Sequence, residues 1–111
     1  MIDKIPRPDV LPSVVRKIKT GYGTLYVTIT ELDGKPFEVF ATIGKPGKSI
    51  AVKAEVIGRL ITLALKHSVP VKEIINQISG LVGDEQVMVG NVLIKSIPDA
   101  IGFVLKERYD K

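Results

Sequence analysis

Leu25-Tyr26-Val27-Thr28-Ile29-Thr30, followed by Glu31-Leu32-Asp33-Gly34 and then by Phe37-Glu38-Val39-Phe40-Ala41-Thr42-Ile43, is the stretch on which the fold turns. On both sides of the Asp-Gly pair, apolar and polar residues alternate with period two, which sends successive side chains to opposite faces of a strand. Asp33-Gly34 suits a two-residue type I′ turn, because both central residues of that turn need positive φ. A hairpin is therefore predicted. Upstream, Val14 to Lys19 alternates in the same way, and Gly21-Tyr22-Gly23 turns the chain back towards Leu25. Three antiparallel strands in a meander follow.

Beyond Gly44 the period becomes helical. Between Ser49 and His67 the polar residues Glu55, Arg59, Thr62 and Lys66 fall on one narrow stripe, and the remainder is largely apolar. Such a helix is expected to be covered on most sides, by the sheet and by another element or another subunit. Ser68 and Pro70 predict the N-cap and first turn of a second helix, with Val71, Ile74, Ile75 and Ile78 on one face and Gly80 ending it. Val87 to Lys95 has strand composition interrupted at Gly90-Asn91, which fits either one bulged strand or a tight hairpin. Ser96-Ile97-Pro98-Asp99 has the pattern of a helix start, with Ile101, Val104 and Leu105 as the apolar face behind it. The fold class is α+β: an antiparallel β-meander packed against two central helices, with a further strand segment and a C-terminal helix. Residues 14–111 form one domain. Pro6, Pro8 and Pro12 make residues 1–13 an extended arm.

The chain has 111 residues, no cysteine, a single histidine and a net charge of +4. Without cysteine there is no disulfide framework, thiol nucleophile or thiolate metal site. His67 stands alone as a nitrogen ligand, so no metal is expected and no cofactor either. Asp84 and Glu85 are adjacent in a loop, where they do not converge on a substrate, and no nucleophile-base pair accompanies them. The expectation is no catalytic residue, and a protein that is not an enzyme on its own. No export signal is visible, and the apolar run Val56 to Leu65 is broken by Arg59 and falls short of the about 20 residues a membrane span needs. A cytoplasmic protein without membrane contact is predicted.

The charge is uneven. Residues 1–59 hold ten Lys and Arg against six Asp and Glu, whereas residues 60–111 hold six of each. Gly44-Lys45-Pro46-Gly47-Lys48-Ser49 ends like a phosphate-binding loop, but the glycine needed five residues before Gly47 is Thr42, so nucleotide hydrolysis is excluded. A simpler anion site at the helix start, from Lys45, Lys48 and Ser49, stays open beside the reading that the glycines only turn the chain. Arg16, Lys17 and Lys19 with Tyr22 and Tyr26 place cations beside aromatic rings, the combination that holds phosphates and stacks bases. The same tyrosines also suit a half-buried sheet.

Thr20 to Thr28, Pro36-Phe37-Glu38-Val39-Phe40 and the helix from Glu55 to Leu65, with Ser96-Ile97-Pro98-Asp99 near the end, resemble the TSCPD domain. That domain is found near the C-terminus of adenosylcobalamin-dependent (class II) ribonucleotide reductases and as small separate proteins. The likeness runs from about Arg7 to Leu105. It implies a non-catalytic accessory or binding domain in deoxyribonucleotide synthesis, acting on a ribonucleoside-diphosphate reductase subunit as partner. In that family cysteines commonly occupy the positions of Tyr22, Ser49, Gly83 and Ile97; with none here, neither a metal nor a redox role carries over. Two alternatives stand beside it: a basic module for nucleic acid or a nucleoprotein, and a homo-oligomer that buries its first helix between subunits.

Overall fold

The computed structural model describes residues 4–44 and 47–110. Strands β1 (Ser13–Thr20), β2 (Gly23–Leu32) and β3 (Lys35–Ile43) form an antiparallel sheet in the order β1-β2-β3. The β2–β3 turn has positive φ at both Asp33 and Gly34, as the type I′ reading requires. Past that turn the register shifts, so that Thr30 faces Glu38 while Glu31 faces Pro36. The extra residue bends β3 beside a proline that has no N–H to give the ladder.

Alternation then sorts the sheet into two faces. Ile18, Leu25, Val27, Ile29, Val39 and Ala41 are buried on one. Helix α1 (Lys48–Lys66), α2 (Val71–Ile78) and α3 (Ile97–Tyr109) complete the core from that side. They contribute Ala54, Ile61 and Leu65, then Ile74 and Ile75, then Ala100, Ile101, Val104 and Leu105. Burying a side chain of this size is worth about 1.5–3 kcal/mol, so this cluster dominates the stability. Of the two central helices, α1 lies along β3, whereas α2 packs chiefly on α3.

α1 approaches β3 edge-on. A Cβ at Gly58 would lie 3.0 Å from the Val39 carbonyl oxygen and 3.2 Å from the Ala41 nitrogen, so only glycine lets the helix come this close. One turn on, the Thr62 hydroxyl accepts from the Val39 N–H at 2.9 Å and donates to the Val39 carbonyl at 3.0 Å. A side chain thus takes the place of a fourth strand. The polar stripe read from the sequence is no simple solvent face: Thr62 and Lys66 turn to the sheet, and only Glu55 and Arg59 are exposed, paired at 2.7 Å.

Ser68 is not the N-cap of α2. It takes positive φ just past α1, in the turn to the next helix, and Pro70 occupies the cap position without a side-chain hydrogen bond. Gly80, with φ of 80°, follows the C-cap Ser79 as expected. Residues 87–95 form a hairpin: β4 (Val87–Val89) pairs with β5 (Val92–Ile94) around Gly90-Asn91, with positive φ at Gly90. At the start of α3, Ser96 accepts from the Asp99 N–H. Asp99 accepts from the Lys95 N–H and from the Gly80 N–H, tying the end of α2 to the start of α3. No helix among the described residues is long and apolar enough to cross a membrane.

Before β1, residues 4–12 adopt neither helix nor strand. They are held by Ile5 N–H to the Lys66 carbonyl, by the Pro12 carbonyl to Glu31 N–H, and by Arg7. Arg7 reaches Glu38 at 3.0 Å, where Lys66 Nζ and the Thr30 hydroxyl also donate at 3.0 Å. Burial drives the Glu38 carboxyl upward; the bonds from Arg7, Lys66 and Thr30 more than offset it and hold it below the ordinary carboxylate value.

Candidate functional site

Since Ile18 and Leu25 face the core, their neighbours Lys17, Lys19 and Tyr26 must face away from it. The register sets Lys17 beside Tyr26 and Thr42, and Val15 beside Thr28 and Phe40. Tyr26 and Phe40 lie on adjacent strands, diagonally across that face, and both are exposed. Among the described residues no element covers these rows, and a groove between them and α1 is lined by Phe40, Thr42, Glu55 and Arg59. The open face thus joins two aromatic rings, three threonine hydroxyls (Thr24, Thr28 and Thr42) and the ammonium groups of Lys17 and Lys19. The nearest carboxylates are already engaged, Glu38 with its three donors and Glu55 with Arg59. Its field is positive, suited to an anion that also carries flat rings.

The remaining sequence candidates are dispersed. Arg16 has the opposite parity and binds Glu107 of α3 at 2.9 Å; that hydrogen bond raises the guanidinium above its ordinary value. Lys48 and Ser49 are exposed in the first turn of α1, whose N-cap Gly47 provides no side-chain bond. Lys45 lies outside the described residues. Phe40 escaped the sequence reading, although the period of β3 puts it on the same face as Tyr26 once the turn at Asp33-Gly34 sets the pairing.

Tyr22 does something else. Its hydroxyl accepts from the backbone N–H groups of Asp84 at 3.1 Å and Glu85 at 3.3 Å, which fixes the loop before β4 against the β1–β2 turn. Gly21 makes that approach possible, because a Cβ there would lie 2.5 Å from the Glu85 backbone. Of the positions where the family resemblance places cysteines, Gly83 abuts the Tyr22 hydroxyl, and Ile97 lines a groove of about 430 Å³ together with Tyr22, Ile50 and Pro98. Ser49 precedes Ile50 in the chain. Tyr22 thus touches Gly83 and shares the groove with Ile97, and none of the three offers a thiolate, while Ser49 is exposed in the first turn of α1. Among the described residues no three acidic or histidine side chains are grouped to hold a metal.

At the far end, Glu31 accepts from Arg108 at 2.8 Å and from the Tyr109 hydroxyl at 2.5 Å. Those two bonds lower its carboxyl to about 2. The Tyr109 phenol is pushed up, by burial first and by the Glu31 bond second. This is an ion-paired anchor of α3 on β2.

The family model of the TSCPD domain matches residues 3–109 of the chain. No curated protein and no solved structure matches it.

Proposed function

We propose, from the premise that this chain belongs to the TSCPD domain family, that it is a non-catalytic accessory domain of deoxyribonucleotide synthesis, binding a class II ribonucleotide reductase in trans. Family membership over nearly the whole chain is the observation that carries this reading. The packing supports it: at one position where the resemblance places a cysteine stands Tyr22, whose hydroxyl is held by two backbone N–H groups, which suits a binding role rather than a redox one. The test adds the purified protein to an adenosylcobalamin-dependent reductase trimmed of its own TSCPD domain, following complex formation by calorimetry and turnover by product formation. A stoichiometric complex with altered turnover is expected. Absence of a complex at low salt overturns the reading.

The open sheet face favours a second reading, a single-stranded nucleic-acid platform. Tyr26 and Phe40 would stack bases while Lys17 and Lys19 meet phosphates. Affinity for a labelled oligonucleotide should then fall with salt, and Lys17→Ala or Lys19→Ala should each reduce the salt slope by about 1. Tyr26→Ala should cost about 1–3 kcal/mol of binding. Binding indifferent to salt and to Tyr26 would exclude it.

A further inference from the structure

The side of α1 turned away from the core carries Val52, Val56, Leu60 and Leu63, each about half exposed, Leu60 at 60%. At ~100° per residue these four fall within about 80° of arc, centred opposite the buried Ala54, Ile61 and Leu65. This is a continuous apolar stripe on the longest helix among the described residues. Its spacing is close to symmetric end for end. About a point between Ile57 and Gly58, Val52 is as far to one side as Leu63 is to the other, and Val56 and Leu60 are within one residue of balancing.

The charges on its flank have the same symmetry. Glu55 and Arg59 are exposed, paired within the helix, and sit on either side of that midpoint. A parallel second copy would put the two Glu55–Arg59 flanks on opposite sides of the seam, where they do not meet. An antiparallel copy sets each Glu55 near the other's Arg59, while Val52 meets Leu63 and Val56 meets Leu60. We propose that α1 pairs antiparallel with α1 of a second copy of this chain, forming a twofold dimer through Val52, Val56, Leu60 and Leu63 with a reciprocal Glu55–Arg59 exchange. The interface is isologous, and knobs-into-grooves packing near 20° suits two such stripes. Beside it, the groove of Tyr22, Ile50, Ile57 and Pro98 also has Val52 and Val56 in its wall, which continues the apolar surface past the stripe. The dimer stands whether or not the accessory role does.

Sedimentation equilibrium of the full chain over a concentration series tests it. The unmodified protein is expected to dimerise. Leu60→Glu should give a monomer with an unchanged circular dichroism spectrum, because Leu60 makes no part of the core. Arg59→Glu alone should raise the dimer Kd at least ~tenfold, and adding Glu55→Arg to it should bring the Kd back to within ~threefold of the original. A protein monomeric at every concentration overturns the proposal, as does a dimer indifferent to Leu60→Glu. Failure of the double exchange to recover the dimer overturns the antiparallel pairing on which it rests.

Discussion

The two sides of α1 are made of similar residues and behave in opposite ways. Towards β3 the helix offers Ala54, Gly58, Ile61 and Leu65, and all are buried; away from it Val52, Val56, Leu60 and Leu63 remain in solvent. Hydropathy does not distinguish them. What does is local geometry: Gly58 removes the side chain that would hold the helix off, and Thr62 supplies the hydrogen bonds that a bare strand edge demands. One missing Cβ and one hydroxyl decide which side faces the protein.

The contrast should break most severely at Gly58. Gly58→Leu puts its Cβ against backbone atoms that have little room to yield, and a loss of about 3 kcal/mol or more is expected in urea denaturation. A variant as stable as the original would mean that α1 is not seated on β3 as described. Thr62→Val keeps the shape and leaves the Val39 N–H and carbonyl unsatisfied, for an expected cost of about 1–3 kcal/mol; Thr62→Ser should recover most of it.

Acidity sharpens the comparison at the end of the same helix. Glu38 has a folded pKa below its ordinary value, so its contribution is complete above about pH 5 and lost as pH falls through the folded pKa. Stability measured by thermal melts from pH 7 to pH 3 should decline in part on its account, and Glu38→Gln should flatten that part of the decline. An unchanged profile in the variant would remove Glu38 as the source. The smallest effect belongs to the outer side. Leu60→Ser should leave the stability of the monomer within about 0.5 kcal/mol of the original, a shift of at most about 4 °C in a melt.

The sheet was legible in the sequence because its signals are local. Period two named the strands, and Asp33-Gly34 named the turn. The bulge at Pro36 to Glu38 was not, since it follows from how β3 meets β2 at a distance. Gly90-Asn91 left a bulge and a hairpin equally open; it is the pairing of Val89 with Val92 that decides between them. Ser68 misled for a physical reason. A serine two residues before a proline at a helix start has the composition of a cap, yet the tight exit from α1 takes it into positive φ. The polar stripe of α1 gave the right residues and an incomplete meaning, because threonine and lysine serve as well beside a strand edge as in water.

For the candidate site, the sequence grouped Arg16 with Lys17, Lys19 and Tyr26, although the strand period sends Arg16 to the other face, where it binds Glu107. The Tyr22 contact spans more than sixty residues of chain and has no local signature. It depends on Gly21 and Gly83 being glycines at places that read only as turns.

The meander has two outer strands, and they are guarded by different means. β3 is sealed by α1 through Thr62, whereas β1 has no further strand beyond it in its sheet and carries Arg16, Lys17 and Lys19. Open strand edges are templates on which foreign chains add and fibrils grow, and charge along one edge with a helix over the other closes both routes. The helix is the reversible guard of the two. Damage to its seat would therefore first be seen as turbidity and thioflavin-positive deposits, through the newly bared backbone of β3, before any loss of the strands themselves.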